Sequence, residues 1–335
     1  MEYASKRHCG RKTIISAFTV VVACITSTWA PLIHGQDKYP EKPIRLVIPF
    51  SPGGTTDTPW RIVAPRLAED LGGQIVIDNR PGAGASIGAA IVAAAPPDGY
   101  TLLGTSNSHA ITGALYKTLP YDTINDFVGL AQIASTCQVL VVHPSLPVKS
   151  VKQLVALAKA QPRQVDYSSP GTGTTPHLFY ALFASMSGLD MMHVPYKGLA
   201  SQLPDLVAGR VPTAFVGVTA VLPYTKANRL RPLAVSCTKR TQFLPDVPTM
   251  DEAGVKGYLG RQLAGLLGPK GLAPSIAKRL EGALEKITAR ADVRDAVLKT
   301  GNEISFDSGR NFAAVMKEEM EIWGKVIRAA GITVN

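Results

Sequence analysis

The sequence has few cysteines, no second long apolar run and no cluster of basic residues. Only four cysteines occur in 335 residues, and Cys9 and Cys24 lie in the N-terminal segment, leaving Cys137 and Cys237 in the rest. After the apolar stretch at 14–25, no run approaches the roughly 20 apolar residues that a membrane-spanning helix needs. Scattered charges argue against a nucleic-acid partner. We therefore expect a soluble protein after this segment.

Motifs that would support catalysis are also missing. The six histidines show no metal-ligand spacing, and no Gly-x-Ser-x-Gly elbow surrounds Ser168 and Ser169, although His177 is near in sequence. The loop at 171–175 lacks the Gly-Lys-Ser/Thr ending of a phosphate loop, and the glycines at 82–88 are one residue out of step with the dinucleotide fingerprint. These absences predict a protein that is not an enzyme and has no cofactor or metal. A nucleotide-dependent enzyme is the weaker alternative.

The N-terminal segment has the pattern of a secretory signal peptide. Four basic residues precede position 13, an apolar run follows at 14–25, and polar residues then return. We predict a signal peptide at 1–36 with cleavage somewhere within 30–36, and therefore a periplasmic protein. Lipid attachment at Cys24 and an uncleaved anchor are the alternatives. Without the four basic residues and one acidic residue of this segment, the formal charge falls from +10 to +7, which suits attraction of small anions.

The remaining chain alternates short β-like runs with helical patterns, which is typical of α/β proteins with mostly parallel sheets. About 300 residues suit two domains. Because 138–238 contains its own strand and helix units, we predict one lobe there and another from 37–137 plus 239–335. Strands are predicted at 44–50, 74–78, 100–105, 139–143, 164–168, 191–194 and 230–236. Helices are predicted at 59–71, 86–95, 151–160, 175–186, 200–208, 274–289 and 308–329.

Three segments rich in small and hydroxyl-bearing residues follow predicted strands, at 49–57, 105–109 and 168–177. In open α/β sheets ligands bind at the carboxyl ends of the strands, where helix N-termini lie. Glycines allow the backbone to approach a ligand closely, and a helix N-terminus binds anions without a cationic side chain. Each segment taken alone is more typical of an ordinary capped turn than of a ligand site. Three in one chain favour a cradle for a carboxylate.

The residues from about 39 to 333 resemble the substrate-binding proteins of the tripartite tricarboxylate transporter family, the Bug-type receptors. The resemblance implies a type II periplasmic-binding-protein fold, in which two α/β lobes enclose a ligand cleft at the hinge and close like a Venus flytrap. It also implies an organic acid, an aromatic acid or an amino acid as ligand. The segments that carry it are 39–40, 42–45, 49–57 (PFSPGGTTD), 79–84 (NRPGAG), 97–103 (PDGYTLL), 119–122, 193–198 (HVPYKG), 233–235 and 244–249 (LPDVPT).

The resemblance also implies which residues contact the ligand. Asp57 either contacts the ligand or serves only as a helix cap, because an acidic residue at this place also caps a helix. This chain departs from the family at 215–218, where an acidic or amide residue is common, and at 263–264, where an aromatic pair is common. Both changes favour a bulky or aromatic acid over a compact amino acid. The predicted contacts are Ser51, Gly53, Gly54, Thr55, Thr56, Asp57, Asn107, Ser108, Thr172, Gly173, Thr174, Thr175 and Tyr196.

The predicted function is capture of a small carboxylate by hinge closure, followed by delivery to the membrane permease subunits of a tripartite transporter. A ligand sensor that acts on a signalling partner is the alternative. We expect a monomer. Cys137 and Cys237 either pair in the oxidising periplasm or remain as two buried thiols, and the sequence leaves both possibilities open.

Overall fold

The computed structural model describes residues 39–258 and 260–333, so the predicted signal peptide lies outside the described residues. No described helix is both long and apolar enough to span a bilayer. The strands are β1 (Ile44–Ile48), β2 (Ile75–Asn79), β3 (Thr101–Thr105), β4 (Phe127–Val142), β5 (Tyr167–Ser169), β6 (His193–Pro195), β7 (Thr213–Gly217), β8 (Arg231–Val235), β9 (Arg261–Pro269) and β10 (Glu303–Ser308).

Ten helices connect and cover these strands in the described ranges. Local signals account for several of their ends. The Ser308 hydroxyl accepts a hydrogen bond from the Asn311 N–H at 3.3 Å and begins the last helix. Gly72 adopts the left-handed conformation and ends the first. The helices are α1 (Asp57–Leu71), α2 (Ser86–Ala93), α3 (Ser108–Leu115), α4 (Val151–Ala160), α5 (Thr175–Ser187), α6 (Leu199–Val207), α7 (Val218–Lys226), α8 (Pro274–Thr288), α9 (Ala291–Leu298) and α10 (Gly309–Ala329).

Strand β4 joins two groups of strands into one sheet with the order β2-β1-β3-β9-β4-β7-β5-β6. Its residues 127–137 pair with β9, and β10 pairs with part of the same stretch. Its residues 138–142 pair with β7, while β8 pairs with 139–142. The hydrogen-bonding partners of β4 therefore change between Cys137 and Gln138.

The prediction of mostly parallel pairing was wrong. Four strand pairs are parallel, but five are antiparallel and four of these involve β4. The reason is that the long strand β4 and its antiparallel partner β9 occupy the centre of the sheet, between the parallel units. All predicted strands and helices overlap observed ones, whereas β7, β9, β10, α3, α7 and α9 were not predicted.

Cys137 and Cys237 form a disulfide in the structure, with their Cα atoms 5.3 Å apart. The bond connects the point where β4 changes partners to the chain just after β8. Separate apolar clusters lie on the two sides of this point. One is built around Trp60 of α1, and another includes Phe179 of α5 and Trp323 of α10, whose rings stack at 5.6 Å.

Candidate functional site

A cavity of about 710 Å³ is the candidate site. The loops before α1 and α5 and the first residue of α3, Ser108, contribute to it, so the N-terminal ends of three helices meet at its wall. The first N–H groups of a helix have no partner within the helix and carry partial positive charge. No residue lining the cavity in the described part of the chain has a charged side chain. The helix N-termini therefore supply the partial positive charge of this wall, without a cationic side chain.

The loop between β1 and α1 is held in place by the carboxylate of Asp57. This side chain is fully buried and accepts hydrogen bonds from the Gly53 N–H at 2.8 Å and the Asn79 side-chain amide at 2.8 Å. The Arg61 guanidinium lies 2.5 Å from it, four residues further along α1. Gly53 has φ +79°, a conformation that glycine adopts without steric cost.

These contacts determine the ionisation of Asp57. Burial alone raises its pKa, but the hydrogen bonds from Arg61, Asn79 and Gly53 outweigh burial and hold the pKa of Asp57 below its ordinary value. The residue is therefore an anion at neutral pH, and its hydrogen bonds connect the loop to Arg61 of α1 and to Asn79 at the end of β2. Asp57 does not line the cavity, so its position fits the role of an anchor for the loop and helix.

The loop between β5 and α5 is fixed by its own hydroxyl groups and by a histidine. The Thr174 hydroxyl donates to the Gly171 carbonyl at 2.7 Å, and Ser169 Oγ lies 3.0 Å from the same carbonyl. The Gly173 N–H donates to Nδ1 of His177 at 3.0 Å. These contacts order the backbone on which Thr172 and Thr175 border the cavity.

The buried imidazole of His177 stacks on the partly buried imidazole of His193. Its ring lies 3.8 Å from that of His193, and His193 Nε2 is 2.7 Å from Ser169 Oγ. Burial, with the neighbouring His193, lowers the pKa of His177 to about 3, and burial lowers the pKa of His193 to about 4. Both rings are neutral at pH 7, so Nδ1 of His177 is available to accept the Gly173 hydrogen bond.

The third contribution comes from the start of α3. Ser108 lines the cavity, and its Oγ lies 3.4 Å from Oγ1 of Thr175 at the start of α5. Asn107 is instead fully buried behind the cavity wall. Its side-chain amide donates to the Arg261 carbonyl at 2.9 Å and to Glu319 at 3.4 Å. Ser108 thus directly connects two of the three helix starts.

The structure brings nine of the thirteen predicted site residues to this one cavity and leaves four away from it. Thr56 and Asp57 are buried beneath the loop between β1 and α1. Asn107 lies behind the cavity wall, and Tyr196 does not line the cavity but donates its hydroxyl to Asp205 at 2.9 Å. Ligand contact by any of the thirteen stays a prediction. Those that line the cavity are Ser51, Gly53, Gly54, Thr55, Ser108, Thr172, Gly173, Thr174 and Thr175.

The two glutamines of the cavity wall and much of its apolar surface were not predicted from the sequence. Gln138 of β4 donates from Nε2 to Oε1 of Gln262 at 3.0 Å, and Gln262 of β9 donates from Nε2 to Oγ1 of Thr55 at 2.9 Å. The available signal for Gln138 was a polar residue directly before the apolar run at 139–142. The apolar or weakly polar lining includes Phe50, Ile111, Leu115, Tyr116, Leu199, Phe215, Val216 and Ala220.

Only one of the two departures from the family pattern lies at the cavity. Phe215, Val216 and Gly217 line it. Leu263 and Ala264 are instead buried in two different apolar clusters packed against the sheet. Within the described ranges, no group of three or more histidine, cysteine, aspartate or glutamate residues is arranged to hold a metal ion.

Comparison with known proteins gives close relatives over nearly the whole chain. The UPF0065 protein in the tcbD-tcbE intergenic region of Pseudomonas sp. strain P51 is 35% identical over 327 residues, which cover 97% of this chain and 96% of the relative. Protein BugT of Bordetella pertussis is 33% identical over 300 residues, covering 88% and 91%.

Solved structures give the same result. R. palustris Rpa4515 with adipate is 36% identical with a TM-score of 0.76 and covers 88% of this chain and 99% of its own. The periplasmic binding protein BugD is 28% identical with a TM-score of 0.73, covering 88% and 99%. MatC from Rhodopseudomonas palustris with bound malate is 27% identical with a TM-score of 0.73, covering 86% and 100%.

These comparisons confirm the predicted fold class, the two-lobed α/β fold of type II periplasmic binding proteins. The family model described as tripartite tricarboxylate transporter family receptor matches residues 60–332. Since the family and its structural neighbours are solute-binding receptors, the protein is a receptor and the alternative of a nucleotide-dependent enzyme is dropped. The chain belongs to the tripartite tricarboxylate transporter receptor family, as its Bug-type sequence motifs predicted.

Proposed function

We propose that this protein captures a small carboxylate-bearing molecule in the 710 Å³ cavity and presents it to the membrane permease subunits of a tripartite transporter. The observation that carries the proposal is the meeting of three helix N-termini, those of α1, α3 and α5, at a cavity that also has an apolar wall. Helix N-termini stabilise a carboxylate, and the apolar wall accommodates its carbon skeleton. The related proteins with bound adipate and malate support the same ligand class.

We propose that ligand binding closes a hinge between a lobe of 37–137 plus 239–335 and a lobe of 138–238. Support comes from β4, whose strand partners change between Cys137 and Gln138. Further support comes from the cavity, because Ser108 and Thr175, one from each proposed lobe, approach within 3.4 Å across it. A ligand that contacts both sides stabilises the closed form by its differential affinity.

We further propose that the protein is exported by a signal peptide at 1–36, acts in the periplasm and is a monomer. A sensor that uses the same closed form to act on a signalling partner is the second candidate. Loss of acid uptake on deletion of the receptor gene, with restoration by the plasmid-borne gene, supports transport. Unchanged uptake together with a lost transcriptional response to the acid supports sensing.

The ligand class is tested by native mass spectrometry of protein purified without residues 1–36, followed by a thermal-shift screen. The screen contains organic acids, aromatic acids, amino acids and nucleotides. A ligand at 100 times its Kd stabilises the native state by about 2.7 kcal/mol, so a carboxylate ligand is expected to raise the melting temperature by several degrees. The exposed substitution Lys197→Gln serves as a control that keeps the response.

The cavity wall is apolar at Phe215 and Val216. We therefore propose that the ligand is a bulky or aromatic acid instead of a compact amino acid. A screen in which only small polar dicarboxylates bind contradicts this preference. Stabilisation by nucleotides with no response to any acid contradicts the proposed function as a whole.

A further inference from the structure

Gln138 has an unusual position for a polar side chain. It follows Cys137 at the point where β4 changes partners, it pairs in register with Gly217 of β7, and its backbone N–H donates to the Ser236 hydroxyl at 3.0 Å. Only 4% of the residue is exposed, yet it lines the cavity. Its backbone is therefore fixed on both sides of the strand, and the residue forms part of the cavity wall.

The hydrogen bonds of this amide are incomplete. Nε2 of Gln138 donates to Gln262, which in turn donates to Thr55 in the first loop. Oε1 of Gln138 has no hydrogen-bond partner among the described residues. A buried acceptor without a donor is destabilising, and such an atom in a native protein requires an explanation.

The rest of the wall explains why a neutral acceptor would matter. No charged side chain lines the described part of the cavity, so neither a second carboxylate nor an ammonium group of a ligand finds a counter-ion there. Burial of an unpaired charge is costly. Discrimination among acids therefore depends on neutral hydrogen-bonding groups, and a site that hydrogen-bonds a ligand hydroxyl strongly rejects an analogue that lacks it.

We propose that Gln138 is a specificity-determining residue whose side-chain carbonyl accepts a hydrogen bond from a neutral donor of the ligand. The ligand class is then a monocarboxylate that carries, apart from its carboxylate, a hydroxyl or amide N–H on an apolar body. A second carboxylate is disfavoured because it would face a carbonyl oxygen. This inference rests on the proposed function, since it assumes that the helix N-termini hold the first carboxylate.

The test uses isothermal titration calorimetry with ligands matched in length. The aliphatic series is hexanoate, 6-hydroxyhexanoate and adipate, which differ only in a terminal methyl, hydroxyl or carboxylate. The aromatic series is benzoate, 4-hydroxybenzoate and terephthalate. We expect wild-type protein to bind the hydroxy acid of at least one series about tenfold more tightly than the unsubstituted acid, and to bind the dicarboxylate more weakly than the hydroxy acid.

The variant Gln138→Met keeps the side-chain length and removes the acceptor. We expect it to reduce the preference for the hydroxy acid to within about twofold while the unsubstituted acid binds as before. Gln202→Leu is the matched control, because Gln202 is equally buried and its Oε1 also lacks a partner among the described residues, but it does not line the cavity. The control is expected to keep the wild-type ligand preference whatever its effect on stability.

The outcomes separate the specificity of Gln138 from the proposed function. If wild type and Gln138→Met rank the acids identically, or if adipate or terephthalate binds best, this inference is overturned and the receptor function stands. If no acid of either series binds, the ligand class proposed here is wrong, and the wider acid screen decides separately on the proposed function. Gln138→Asn, which retracts the amide by one methylene, replaces the methionine variant if that variant does not fold, with the same expected loss of preference.

Discussion

The substitution Asp57→Asn tests whether the carboxylate of Asp57 anchors the loop between β1 and α1. The asparagine has almost the same shape, but it removes the charge and turns one of the two acceptor oxygens into a donor. Asp57 receives hydrogen bonds from Gly53, Asn79 and Arg61, so at least one of these donors loses its acceptor. Hydrogen bonds to a charged group contribute about 1.5–3 kcal/mol each.

The expected loss of unfolding free energy is about 2–4 kcal/mol, because the buried carboxylate loses charge-assisted hydrogen bonds, while the half-exposed Arg61 regains water and offsets part of the loss. For a protein of this size, each 1 kcal/mol corresponds to roughly 2–4 °C in melting temperature. Differential scanning calorimetry at pH 7 should therefore show a decrease of about 5–12 °C. Asp251→Asn is the matched control, because the side chain of Asp251 is half-exposed but also accepts a backbone N–H, from Gly257, and pairs with Lys256. Its melting temperature is expected to stay close to that of wild type.

The pH dependence supplies a second check on Asp57. Its pKa in the folded protein is lower than the ordinary value of about 3.9 in an unfolded chain. The stabilisation is therefore fully present above that ordinary value and is lost as the pH falls through the lowered pKa of the folded state. The difference in stability between wild type and Asp57→Asn should be constant above about pH 5 and shrink below about pH 4. A difference that is absent at pH 7, or equal to that of Asp251→Asn, would refute the role assigned to this carboxylate.

Three further perturbations test other parts of the molecule. The pKa of His177 is about 3 in the folded protein against about 6.5 when unfolded, so stability should fall as the pH decreases from about 6.5 towards 3. Unfolding free energies measured by urea denaturation at several pH values near 5 should change with pH by about 1.4 kcal/mol per pH unit less in His177→Gln than in wild type. An equal pH dependence in the two proteins contradicts a neutral His177 ring that accepts from Gly173. Thr175→Val removes a hydroxyl at the cavity and should weaken acid binding about three- to tenfold in calorimetry; equal affinity excludes this hydroxyl from the site. The double substitution Cys137→Ser and Cys237→Ser removes a cross-link between residues 100 apart in sequence and should lower the unfolding free energy by about 4 kcal/mol. An unchanged denaturation midpoint contradicts a stabilising role of the disulfide.

The predicted elements that proved correct are those with a clear local pattern. Helix α4 shows apolar residues at helical spacing from Val151 and begins after Ser150, whose hydroxyl accepts from the Gln153 N–H at 3.2 Å. Strand β1 is a short buried run of branched residues. In both cases the residues that determine the element are neighbours in sequence.

The first part of β4 could not be predicted in this way. Gln132 and Thr136 interrupt its apolar pattern and suggest a loop. In the folded protein both are satisfied by distant partners, because Gln132 donates to the Ser305 carbonyl at 2.8 Å and Thr136 to the Gly301 carbonyl at 2.8 Å. The antiparallel centre of the sheet depends on this strand, so its topology was missed as well.

The residues of the candidate site also divide into those predictable from neighbouring sequence and those that only the fold brings together. The loops before α1 and α5 were predictable because glycine and hydroxyl-bearing residues follow short strands, and such residues suit helix N-termini. Gln138 and Gln262 are 124 residues apart in sequence, and only the fold brings their side chains within 3.0 Å of one another. The distinction between Asp57 as an anchor and Thr55 as part of the cavity wall likewise requires side-chain burial, which the sequence pattern does not supply.

The central claim is that the helix N-termini at the cavity bind a carboxylate, and a matched pair of ligands tests it most directly. An acid that stabilises the protein in the screen is compared with its primary carboxamide by isothermal titration calorimetry at pH 7. The two molecules have nearly the same shape, but only the acid is an anion. Since hydrogen bonds to a charged group are about twice as strong as neutral ones, we predict that the carboxamide binds at least tenfold more weakly. A carboxamide that binds as tightly as the acid would contradict the account.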